Sequence, residues 1–132
     1  KIDTNLEKLL GIAANGGIVN YTEAYGSAAR EWQEIAEVYY NALVRYEGWL
    51  AEWEDVSGND NIIKNFRDSL EEYKSLWKTY AESQEDAYAT IVDTIYSGGS
   101  LGSVTISEHQ YNLSKQWALQ VVDIYELMLN IG

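Results

Sequence analysis

The chain contains no cysteine, no proline and a single histidine. Without cysteine there are no disulfides, no thiolate metal ligands and no cysteine nucleophile. Without proline, no residue interrupts a helix by removing a backbone donor, although about five per hundred residues is the average. Cations are scarce as well: nine Lys and Arg stand against 21 Asp and Glu, a formal net charge of −12. A surface of that sign repels nucleic acid and anionic membranes, and the charged partners it attracts are cations or basic proteins. Long apolar runs are absent too, and nothing approaches the ~20 residues that span a bilayer. The chain opens on Lys1 rather than methionine, as a start trimmed by processing or by design would, and a cleaved signal peptide fits such a start.

What is present points to helices. The 132 residues are 46% hydrophobic, which predicts one domain, residues 1–132, with a packed core. Thr4 and Glu7 have capping-box spacing ahead of LEKLLGIAA, so a short helix is expected at about 4–14, stopped by NGG at 15–17. Asn20 with Glu23 offers the next cap, and the segment then runs without a breaker to about Asp55. Gly26 and Gly48 lie inside it, each costing roughly 1 kcal/mol relative to alanine. VSGNDN at 56–61 is dense in turn formers. A second long helix is expected at about 61–96, then a loop through SGGSLGSVTI. Ser107 with Gln110 repeats the capping spacing and opens a last helix at about 107–130.

Periodicity sharpens this. Residues 31–55, EWQEIAEVYYNALVRYEGWLAEWED, hold six large rings and seven carboxylates. Tyr25, Trp32, Tyr39, Tyr46 and Trp53 follow one another at seven-residue intervals. Ala28, Ile35, Ala42 and Trp49 supply the second seam position, with Ala29, Ala36, Leu43 and Leu50 beside them. Such a heptad predicts a helix supercoiled on a neighbour. The second long helix answers with Phe66, Tyr73, Tyr80 and Ala87 in one row and Ile63, Leu70, Trp77, Gln84 and Ile91 in the other. The short link makes the two antiparallel neighbours, each about 50 Å long. Trp117, Val121, Ile124, Met128 and Ile131 give the last helix a stripe that docks on this hairpin. The expected fold is therefore all-α, an elongated bundle on a long hairpin of about 20–55 and 61–96. Because the flanking helices are shorter, any part of the aromatic seam they leave bare needs another chain.

Few patterns carry chemistry. His109, in the SEHQY turn, has no second histidine to build a Glu-x-x-His di-iron pair and reads as a surface or capping residue. SGGSLGS at 97–103 lacks the Gly-Lys-Ser/Thr ending of a phosphate cradle and reads as a flexible loop. The acids Glu52, Glu54, Asp55 and Asp60 surround the hairpin tip, where a cation would relieve their conflict with the helix dipole. The glycine of DVSGNDN falls at its fourth place rather than the sixth, and Phe66 stands where a calcium loop closes with glutamate, so a solvated acidic tip is the reading. Asn20-Tyr21-Thr22 and Asn112-Leu113-Ser114 match glycosylation acceptors, but capping explains both. The outer acids of the long helices form a solvated face.

The hairpin resembles, in outline, the small secreted helical hairpins of the WXG type, with Trp53 just before the turn and Gly58 within it. The Trp–Gly spacing differs from that pattern and the terminal helices lie outside it, so the likeness is one of shape. No nucleophile–base pair, metal set or cofactor motif is present, so a non-enzymatic structural or protein-interaction module is expected, without cofactors. A self-associating coat or filament subunit or a secreted accessory protein fits, and an extracellular or virion setting is favoured over the cytoplasm. The interaction residues expected are Tyr40, off the main seam, with Trp49, Trp53, Glu52, Glu54 and Asp55. The alternative is an acidic inhibitor that imitates nucleic acid before a basic partner. A third reading is a bundle holding an apolar ligand between ring-lined helices.

Overall fold

The computed structural model describes residues 1–13, 18–97 and 99–131. The NGG stop at 15–17 lies outside them, as does the side chain of Asn20. Among the described residues five helices make an all-α bundle: α1 (Ile2–Ala13), α2 (Ile18–Arg45), α3 (Gly48–Ser57), α4 (Ile62–Tyr96) and α5 (Ser100–Ile131). No strand occurs among the described residues.

The segment expected to run unbroken to Asp55 is two helices, parted at Tyr46 and Glu47. Tyr46 causes the break. Its side chain folds forward so that its hydroxyl accepts the backbone N–H of Trp49 at 3.3 Å, supplying one donor of the new helix start with a partner. A Cβ at position 48 would lie 2.3 Å from that hydroxyl, so any larger residue there would push the Tyr46 ring aside. Gly48 is thus the space into which a ring turns, beyond its cost in helix propensity.

The last helix differs more. It begins at Ser100 rather than near 107 and runs 32 residues, close to the 35 of α4. Ser97 ends α4 with φ 52°, its N–H bonded to the Asp93 carbonyl, and Gly99 N–H reaches the Tyr96 carbonyl. Gly102, read as loop, is buried in α5, where an added Cβ would meet Val92 Cγ1 at 3.3 Å. The glycine lets α4 and α5 close on each other directly after the turn.

With that length, α5 rather than α4 becomes the main partner of α2. The two run parallel. Tyr25 meets Tyr111 with ring centroids 5.8 Å apart, and Tyr40 meets Trp117 at 6.5 Å. At the far end, Trp49 Nε1 donates to the Met128 carbonyl at 3.0 Å. α4 runs antiparallel to α5, from Tyr73 beside Trp117 to Tyr88 on His109. It reaches α2 around Val44, whose carbonyl accepts Arg67 Nε at 2.7 Å. α1 doubles back along α2, setting Leu6 among Ala24, Ala28, Ala29 and Tyr111.

The heptad on α2 is buried along the row four residues on from its rings. Ala29, Ala36 and Leu43, continued by Leu50 on α3, form the covered row. Tyr25, Trp32, Tyr39 and Tyr46 flank it, half-buried. Small side chains on the contact line let backbones approach, while rings fill the margins. The principal core gathers Tyr40, Leu43, Leu50, Leu70, Val121 and Met128. Leu43 and Val121 are each 1% exposed, and burying such a side chain contributes about 1.5–3 kcal/mol.

Candidate interaction surface

Of the residues expected to meet a partner, Tyr40 belongs to the core and Trp49 packs against it. Tyr40 is buried, its ring against Trp117 and under the Lys74 ammonium, 4.6 Å from the ring centroid. Burial, then the nearby Glu71 charge, pushes its hydroxyl above its ordinary pKa. Trp49 is part-buried, with its indole N–H spent on Met128. Trp53 remains 54% exposed, 6.1 Å from the Trp49 ring. Glu52 and Asp55 are exposed and Glu54 is half-buried. Among the described residues no three His, Cys, Asp or Glu converge as a group that could hold a metal ion.

His109 is placed differently from its expected first turn. It lies well inside α5, stacked on Tyr88 with centroids 4.0 Å apart and planes 15° from parallel. Its Nε2 is buried and has no hydrogen-bond partner among the described residues. A polar cluster that periodicity does not flag ties α1 to the bundle. Asp3 accepts hydrogen bonds from Tyr111 and Lys115, and from Trp32 Nε1 at 3.3 Å. Burial raises the Asp3 carboxyl, but the hydrogen bonds from Lys115, Tyr111 and Trp32 and the Lys115 charge outweigh it, and it titrates below its ordinary 3.8. Burial, then the Asp3 carboxylate, holds the Tyr111 hydroxyl well above its ordinary range.

Where α4 crosses α5, Trp77 and Trp117 stack at 5.7 Å and 15°, with Tyr73 edge-on to Trp117 at 5.6 Å. Tyr73 Oη donates to Gln120 at 2.6 Å. A groove of about 270 Å³ lies on the α2 side of this stack, lined by Gln33, Lys74, Lys78, Glu82 and Ser114 beside the indoles. On the other side Tyr73, Leu76, Trp77 and Tyr80 meet Gln116 and Gln120 in a further depression. A larger hollow of about 540 Å³ between α1 and α2 carries the acids Glu31 and Glu34.

Beyond this crossing, α4 leaves one face uncovered. Tyr88 packs on His109, and Val92, 3% exposed, faces Gly102, so these fix the side turned to α5. About a quarter-turn away lie Leu76, Tyr80, Gln84, Ala87, Ile91 and Ile95, all exposed. Leu76 is 65% exposed, Tyr80 46%, Ile91 56% and Ile95 68%. The seven-residue rows place Tyr80 and Ala87 inward in one row and Ile91 in the other. They turn outward instead, because here α4 packs on a single helix, which covers a narrower arc than two. The stripe contains no charged residue. Its border threonines are already satisfied, Thr90 Oγ1 donating to the Asp86 carbonyl at 3.0 Å and Thr94 Oγ1 to the Thr90 carbonyl at 2.9 Å.

Among the described residues, no helix is long and apolar enough to cross a membrane. Comparison with family models, curated proteins and solved structures returns no match to this chain.

Proposed function

We propose that this chain is a non-enzymatic protein-interaction module that works through the outer face of α4, most simply by self-association. The observation that carries this reading is the stripe from Leu76 to Ile95: apolar but for Gln84, exposed and uncharged on a chain of net charge −12. Contiguous exposed apolar surface marks interaction sites on soluble proteins. The hydroxyls of Thr90 and Thr94 are already bonded within the helix, which lowers the desolvation cost of contact.

Size sets the strength. The stripe is about 30 Å long and about 10 Å wide, or ~300 Å², whereas a stable interface covers about 800 Å² per partner. Gln116 and Gln120 widen it from α5, but the complex belongs to the weak class. A coat or filament subunit, or a secreted accessory protein, would use such a contact in many copies or at high local concentration.

The test is multi-angle light scattering from about 1 µM to 1 mM, a range matched to weak interfaces. The apparent mass is expected to rise with concentration, and Ile91→Lys is expected to abolish the rise without changing the melting temperature. A constant monomer mass across the range would sink this reading.

A further inference from the structure

Resting on that reading, we infer that the partner of the α4 face is a second copy of the same face, docked antiparallel about a two-fold axis between Glu85 and Asp86. The stripe residues Leu76, Tyr80, Gln84, Ala87, Ile91 and Ile95 follow one another at spacings of four, four, three, four and four. That series reads the same from either end. A two-fold axis perpendicular to two antiparallel helices reverses one copy relative to the other, so only a reversible series matches itself at every step.

The matching is chemical as well as geometric. Leu76 of one copy falls against Ile95 of the other, Tyr80 against Ile91, and Gln84 against Ala87. Large apolar groups meet at both ends, and the smallest residue lies near the axis, where the helices come closest. Steps of three and four keep all six residues on one helix face. A parallel pairing would set Gln84 on Gln84 and would lose the Tyr80–Ile91 match.

Charge points to the same occupant. Glu85 and Asp86 are nearest the axis along the chain, yet each lies about 130° around the helix from the middle of the stripe. Glu85 instead lines the groove on the α2 side. Two copies, each of net charge −12, therefore meet on a face where neither brings charge. A basic partner would find nothing there to pair with, and an uncharged face matched to itself in reverse needs no other chain.

The absence of cysteine makes a direct register test available. Leu76→Cys and Ile95→Cys are made singly at exposed positions, and the chains are tagged to differ in mass. Each is oxidised alone and in an equal mixture. The mixture is expected to give the mixed disulfide between positions 76 and 95, at least tenfold over either homodisulfide, because like positions sit about 28 Å apart along the axis. Leu76→Cys crosslinking to itself would establish parallel pairing and overturn the proposal. A concentration-dependent dimer in light scattering that yields no mixed disulfide would place the contact on another face and overturn it too. A monomer at every concentration would instead remove the self-association on which it rests.

Discussion

Asp3 joins three helices, and its acid titration can be read as stability. Its folded pKa lies below its ordinary 3.8. A depressed carboxylate contributes stability that is present above the unfolded value and lost as pH falls through the folded one. The pair with Lys115 is partly exposed, 34% and 39% by side chain, so solvent screening reduces its worth to about 1 kcal/mol. Asp3→Asn is therefore expected to lower the melting temperature by a few degrees at pH 7, and by progressively less as pH falls below the ordinary 3.8. A gap that does not narrow with falling pH would mean that the asparagine acts through packing rather than charge. None of this is readable in the sequence, because Asp3 meets partners at positions 32, 111 and 115 and has no local pattern around it. Tyr40 shows the same limit from the other side. One residue off the ring heptad, it reads as a partner contact, whereas the alanine and leucine row beside it is what packs inward and takes Tyr40 along.

Among the elements, the helix break before α3 depends on a single hydroxyl. Tyr46→Phe keeps the ring in the space above Gly48 but removes the acceptor for the Trp49 N–H. A lost helix-start bond of this kind costs about 0.5–1 kcal/mol. Thermal melts should show a drop of a few degrees with unchanged helical circular dichroism. An unchanged melting temperature would assign the break to the Tyr46 ring and Gly48 alone. The existence of most helices is written in the sequence. The heptads of α2 and α4 and the i, i+4, i+7 stripe of α5 each need only local order to be seen. Their ends are harder. SGGSLGS looks like a loop because glycine and serine are poor helix formers, yet Gly102 lies within α5, at a place where Val92 leaves a larger residue tight space. That constraint comes from a helix elsewhere, and no window around Gly102 contains it. The bare stripe is legible in kind, as seam left uncovered, but its cause is not short flanking helices. α5 is long, and it covers one side of α4 only.

For the whole molecule, the sign of a salt effect separates the two main readings. Copies of net charge −12 repel at a distance even when their contact face is neutral. Added salt screens that repulsion over a Debye length of about 8–10 Å near physiological strength. Self-association is thus expected to strengthen, about tenfold or less, between roughly 20 and 300 mM NaCl in sedimentation experiments, within the span of weak electrostatic effects. Association that weakens over the same range would favour contacts between opposite charges, as an acidic mimic of nucleic acid would make with a basic protein. A different consequence follows from the parallel pairing of α2 with α5. Gln33 bonds Ser114 across 81 positions, and Trp49 bonds Met128 across 79. Synthesis adds roughly 5–20 residues per second. The row of Ala29, Ala36 and Leu43 therefore leaves the ribosome several seconds before the helix that covers it. Through that interval the nascent chain holds a finished helix with no finished core, and its fate depends on what else in the cell can shelter an apolar row.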